Sequence, residues 1–113
     1  MIPKKFVIPR VVNKYQFIVE SGKQFNTSNS PIEWFTRDSC GVKTPFDMTP
    51  YTYNMEIYDG DCLVETLTNI IIQDINKMVI IEPILNIEFG NYDFKINMIG
   101  YNSIASGTLK VLM

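Results

Sequence analysis

Apolar and polar side chains alternate along most of this chain with a period of two. YTYNMEIY (51–58) sets Tyr51, Tyr53, Met55 and Ile57 on one face and Thr52, Asn54 and Glu56 on the other. A half-buried antiparallel strand needs that pattern. KYQFIVE (14–20) places Tyr15, Phe17 and Val19 together, and YDFKINMI (92–99) does the same with Tyr92, Phe94, Ile96 and Met98. Further strands are expected at IEWFTRD (32–38), CLVETL (62–67), NIIIQ (69–73), MVIIEP (78–83) and TLKVLM (108–113). Gly, Pro, Asn and Asp interrupt these segments every 8–12 residues or so, a spacing typical of all-β chains. Signals for helix are nearly absent; LNIEFG (85–90) reads as a corner with one helical turn.

The connections carry turn chemistry. Asp59-Gly60-Asp61 predicts a tight hairpin, and DINK (74–77) a second. SCGVKTPFDMTP (39–50) reads as a long turn region, and GYNSIASG (100–107) as the last hairpin loop. SGKQFNTSNSP (21–31) is polar and marks the expected boundary between an N-terminal arm with its connector (1–30) and a body (31–113). About seven strands in the body bury one apolar face each most simply as two packed sheets, with a closed small barrel as the alternative.

Composition changes this picture little. The 113 residues are 46% hydrophobic and 19% charged, enough for one domain with a core. Charge distribution adds more. Residues 1–30 hold five basic side chains against Glu20, whereas residues 31–113 hold five basic and eleven acidic ones. A basic arm ahead of an acidic body points to an acidic partner surface or to a solvated tail. The arm also carries Phe6, Val7, Ile8, Val11, Val12, Tyr15 and Phe17, many apolar groups for a free tail. Lys4, Lys5 and Arg10 are its candidate contacts with acidic surface, and Phe6, Ile8, Val12 and Phe17 its candidate apolar anchors. Pro3 and Pro9 interrupt the N-terminal stretch, so no signal peptide is expected, and no apolar run has the length of a membrane helix.

Chemistry is sparse. The chain has no histidine, which removes the commonest general base and metal ligand and excludes Ser-His-Asp and Cys-His arrangements. It has no P-loop, dinucleotide-binding or CxxC motif. The acidic residues show no spacing that builds a catalytic pair. No enzyme activity, cofactor or metal is expected. Asp59 and Asp61 could touch a hard cation, but the turn itself accounts for Asp-Gly. Basic and aromatic residues mix in the arm as in single-strand binders, yet the body is acidic and no nucleic-acid partner is expected. Asn26-Thr27-Ser28 fits the glycosylation acceptor pattern, which matters only in a secreted chain. Cys40 and Cys62 read as two reduced thiols or as a pair. Trp34 reads as a core plug, or else as a stacking surface aromatic.

Several short motifs occur in order: IEWFTRD, GVKTPFDMTPYTYNMEI, LVETLTN, KMVIIEP, IEFGNYDFKINMI and SGTLKVLM. Together, over residues 31–113, they resemble the immunoglobulin-like β-sandwich of tailed-bacteriophage virion proteins. Asp47-Met48-Thr49 stands where that pattern has Asp-Leu-Thr, with Pro50 in place of its glycine. Gly90, Tyr92, Phe94 and Ile96 match its corner, and Gly107, Leu109 and Val111 its closing strand. The resemblance implies a tyrosine corner: Gly90 permits the tight turn and the Tyr92 hydroxyl bonds backbone a few residues upstream. Trp34, Asp47, Thr49, Gly90, Tyr92 and Phe94 are then structural positions. It further implies a virion protein, assembled in the host cytoplasm and present in many copies. Its partners would be the major capsid protein or other virion subunits. An auxiliary capsid protein, as in crAss-like phages, suits the richness in Asn, Ile, Lys and Tyr. Alternatives are a baseplate, tail or neck adaptor, or a host-glycan-binding sandwich using Tyr51, Tyr58 and Tyr101.

Overall fold

The computed structural model describes residues 15–101 and 103–113. Among the described residues, eleven strands run in chain order: β1 Tyr15–Glu20, β2 Phe25–Asn26, β3 Ile32–Glu33, β4 Phe35–Arg37, β5 Lys43–Pro45, β6 Tyr53–Asp59, β7 Cys62–Leu67, β8 Ile70–Gln73, β9 Lys77–Glu82, β10 Gly90–Met98 and β11 Ser103–Leu112. No helix occurs among the described residues, so the helical turn expected at 85–90 is replaced by extended chain. Leu85 and Ile87, two positions apart, are both buried, the spacing of an extended segment.

Five strands form one sheet in the order β1-β11-β10-β6-β7. All its neighbours are antiparallel except β1 and β11, which run parallel with Tyr15 opposite Gly107 and Val19 opposite Val111. In a second sheet β9 is central. β8 pairs along one side of it, while β2 and β3 pair with its two ends on the other. Between β2 and β3 the chain leaves the ladder, and Thr27 fills the gap. Its N–H donates to the Ile80 carbonyl at 3.1 Å, and its Oγ1 accepts from the Ile80 N–H at 2.9 Å. One threonine thus satisfies both backbone groups of a buried residue. β4 and β5 form a separate hairpin.

Both sheets feed one apolar core, a β-sandwich-like arrangement. Met55, Ile57, Leu67, Phe94, Ile96, Met98 and Leu109 come from the five-stranded sheet, and Phe25, Ile32, Met78 and Ile80 from the other. The alternation in β6 and β10 put these side chains on the inner face as expected. Burial of each such side chain contributes roughly 1.5–3 kcal/mol, before conformational entropy is counted. Trp34, fully buried, belongs to this core. Phe35 is also buried but lies outside that cluster. Lys43 Nζ and Arg37 Cζ stand 4.6 and 5.3 Å from its ring centroid, an arrangement in which cations are drawn to the ring face.

Three differences from the sequence expectations have physical causes. First, β1 and β2 lie within the stretch expected to be arm and connector, so the described part of residues 1–30 is built into the sheets. Alternation in KYQFIVE was legible; that its partner is the C-terminal strand was not. Second, β11 begins at Ser103 rather than Thr108, because small and polar residues pair as readily as apolar ones once β10 supplies the ladder. Third, IEWFTRD is two strands rather than one: the Trp34 N–H still turns to Asn76 beyond the end of β9, whereas Phe35–Arg37 pairs with β5. The DINK turn forms as expected, with Asp74 and Ile75 at φ of 48° and 61°. A β-branched residue there is strained by about 1–2 kcal/mol. The Ile75 carbonyl accepts from the Met48 N–H at 2.6 Å, which ties this turn to the 46–52 loop.

Gly107 has the least room for a side chain of the glycines described. A Cβ at this position would overlap the Tyr15 carbonyl oxygen and the Phe94 ring. Backbone on one side and a fully packed ring on the other leave little room to relax. Gly107→Ala is expected to destabilise the protein by about 2–3 kcal/mol, read as a lowered urea midpoint. An unchanged midpoint would mean that β1 does not seat against β11 as described.

Candidate functional site

The residues expected to carry function fall in three places. Lys4, Lys5, Phe6, Ile8, Arg10 and Val12 lie outside the described residues. Phe17 lies within β1, half-buried, with ring centroids 5.3 Å from Phe25 (edge-on), 5.4 Å from Phe94 and 5.8 Å from Tyr15. It is an element of the body's packing, not a projecting anchor. The remaining candidates are structural positions, and their geometry can be followed bond by bond.

Trp34 is enclosed, and its backbone N–H donates to the Asn76 carbonyl at 2.8 Å. Asn76 Nδ2 donates back to the Trp34 carbonyl at 3.4 Å. The indole Nε1 is buried without a protein partner. Trp34 is therefore a core plug and not a surface stacking platform.

In the 46–52 loop, Asp47 Oδ1 accepts from Thr49 Oγ1 at 2.6 Å and from the Thr49 N–H at 3.0 Å. This short turn drives Met48 between them into the core, where it is fully buried. The Tyr53 hydroxyl donates to the Met48 carbonyl at 2.6 Å and fixes the loop to β6. Burial raises the Tyr53 phenol above its ordinary pKa, so it stays a donor. The Thr49 hydroxyl, with its N–H second, holds the exposed Asp47 carboxyl below the usual aspartate range.

At the start of β10, the Tyr92 hydroxyl donates to the Glu88 carbonyl at 2.7 Å. Gly90 between them has φ of 154°, and the Tyr92 ring lies against it. This is the corner geometry expected from IEFGNYDFKINMI. Phe94, two residues on, is buried beside Phe17 and Gly107.

Of the tyrosines proposed for glycan contact, Tyr51 and Tyr101 are brought together, at right angles rather than coplanar, and Tyr58 stands apart on β6. Tyr51 and Tyr101 meet edge to face at 5.7 Å, with Phe46 stacked on Tyr51 at 6.0 Å. Tyr58 stands on β6, with Lys95 Nζ 5.2 Å from its ring centroid. There it borders a cleft of about 550 Å³ together with Asp61, Asp93, Ser106 and Thr108. Cys40 and Cys62 are exposed and unbonded to each other. Among the described residues, no group of three His, Cys, Asp or Glu side chains converges, and no helix is long and apolar enough to cross a membrane.

One surface feature was not anticipated. β7 is an edge strand of the five-stranded sheet, and its consecutive residues Leu63 and Val64 are 50% and 41% exposed. The signal was present in CLVET, where two adjacent apolar residues break the alternation. Comparison of the chain with protein-family models, curated proteins and solved structures gives no match.

Two measurements check these bonds. Tyr92→Phe is expected to cost about 1 kcal/mol, the scale of one lost hydrogen bond, with an unchanged urea midpoint counting against the corner. For Asp47, the carboxyl should titrate below an ordinary aspartate in NMR and return toward it in Thr49→Val. Because the folded pKa is depressed, its contribution to stability is present above the ordinary value and lost as pH falls through the depressed one. A Thr49→Val titration identical to wild type would break the assignment.

Proposed function

We propose that this chain is a non-enzymatic structural protein of a tailed-phage virion. Its body is an immunoglobulin-like sandwich, and its N-terminal segment attaches it to a neighbouring subunit, the major capsid protein or another virion protein. The observation that carries the reading is the strand order. In immunoglobulin-like sandwiches the strand after the tyrosine corner lies between the last strand and the first strand of its own sheet's central hairpin. Here β10 follows the Tyr92 corner and lies between β11 and β6. β9 lies between β8 and the β2 and β3 segments in the opposing sheet. The parallel β1–β11 pair then adds a first strand to the outer edge. The ordered motifs over residues 31–113 support the virion part of the reading, as does the basic N-terminal segment ahead of an acidic body.

An attachment segment in this position has a physical rationale. Extended segments bind by main-chain pairing and by alternate side-chain anchors, so a short stretch can hold a whole domain to a partner. Lys4, Lys5 and Arg10 would meet acidic partner surface, and Phe6, Ile8 and Val12 would supply the anchors. Phe17, partly buried, packs against the core and is not counted among them.

Deletion of residues 2–13, which ends before β1, is expected to abolish retention on virions while leaving the circular dichroism of the body unchanged. Truncated protein held on purified capsids at native occupancy would overturn the attachment role. Labelled full-length protein found on the tail instead of the shell would turn the reading to a baseplate, tail or neck adaptor.

A further inference from the structure

The outer edge of β7 carries a short pattern of its own. In the pairing of β6 with β7, Ile57 faces Glu65 but Tyr58 faces Leu63, so Val64 is an inserted residue. Such a bulge leaves backbone unpaired and re-aims its neighbours. Leu63 and Val64 consequently both reach solvent, where regular alternation would hide one of them. Asp61, exposed, and Glu65, half-buried, bracket the pair. The edge therefore reads acid, apolar pair, acid over Asp61-Cys62-Leu63-Val64-Glu65. No lysine or proline guards it, as such residues guard many sheet edges. A bulged edge does not suit a long flat strand, so its occupant must be short.

We propose that this edge binds the segment Lys4–Arg10 of a second copy of the chain as an added extended strand. The inference rests on the attachment role proposed above and names the site that the segment takes. The segment KKFVIPR reads base, apolar run, base: Lys5, then Phe6, Val7 and Ile8, then Pro9 and Arg10. Lys5 and Arg10 are five positions apart and Asp61 and Glu65 are four, about 16 and 13 Å in extended chain, within reach of one another's flexible side chains. Opposite charges at both ends fix the register, and like charges oppose the pairing of β7 with another β7. Pro9 lacks an N–H and sits without conflict where an added edge strand faces outward.

The occupant comes from a second copy because of where the segment starts. β1 and β7 are the two opposite edges of the same sheet. Four strand spacings, roughly 19 Å, separate them. A segment leaving at β1 would have to recross three strands of its own sheet to reach its own β7, whereas a neighbouring copy presents the edge directly. Segment to edge is a head-to-tail contact between different surfaces, so it builds open chains or closed rings, of which a dimer with reciprocal exchange is the smallest.

Sedimentation velocity of the full-length chain over rising concentration tests this. The expected result is self-association, as a closed ring or a growing series, that rises with concentration and weakens in high salt. Asp61→Lys with Glu65→Lys should weaken association about tenfold or more, as should Lys5→Glu with Arg10→Glu. All four changes in one chain should restore it. A synthetic peptide of residues 1–14 should cap the edge and return the protein to monomer. A wild-type chain that stays monomeric, an edge reversal without effect, or a failed four-site rescue would each overturn the proposal. Retention on virions that needs residues 2–13 in a chain that never self-associates would overturn this site alone and leave the attachment role standing.

Discussion

The five-stranded sheet depends on a residue with no side chain. Gly107 sits where the Tyr15 carbonyl and the Phe94 ring both press against β11. With any Cβ there, either β1 withdraws or Phe94 leaves its place in the core. Both would matter beyond the position itself. β1 seats Phe17 against Phe25 and Phe94, and so links the edge of one sheet to the other. Phe94 is the first fully inward residue of β10, whose neighbours β11 and β6 complete the sheet. The close approach therefore sets the first strand and the seam between the sheets together.

Around this seam the loops are held by backbone bonds more than by charge. Tyr53 to Met48, Met48 to Ile75 and Thr27 to Ile80 each satisfy a carbonyl or amide of a buried residue, and Tyr92 to Glu88 fastens an exposed corner. The ion pairs Lys43–Glu33 at 3.3 Å and Lys77–Asp74 at 3.8 Å are exposed and contribute little. A fold fastened in this way tolerates a lopsided surface charge. That leaves acidic side chains on the body available to meet basic groups elsewhere.

Much of this was legible in the sequence where one physical signal dominated. Strict alternation located β6 and β10, Asp-Gly located the β6–β7 turn, and the Gly-x-Tyr spacing located the corner hydroxyl. Signals failed where two environments compete for the same pattern. KYQFIVE alternates whether it pairs in cis or with a partner, so sequence alone could not seat β1 on β11. SIASG is too polar and small to announce a strand, although β10 imposes one. Leu85 and Ile87 look like half of a helical turn until both are seen to face one core. Asp47 and Thr49 were read as a family pattern, and their role in driving Met48 inward needed coordinates.

The seating of β1 also decides how the N-terminal segment can act. An arm flexing from residue 30 would have a long reach and would lose much of its affinity to ordering entropy. With β1 fixed in the sheet, the chain enters the body at a defined edge. A shorter tether raises effective concentration at sites near that edge and excludes sites far from it on the same body. If the segment attaches as proposed, partner choice would follow from geometry as well as charge, favouring surface that a neighbouring subunit brings beside β1. On the attachment role proposed above, a basic segment ahead of a β1 fixed at one edge of the sheet would meet surface beside that edge before it could close on the far edge of its own body.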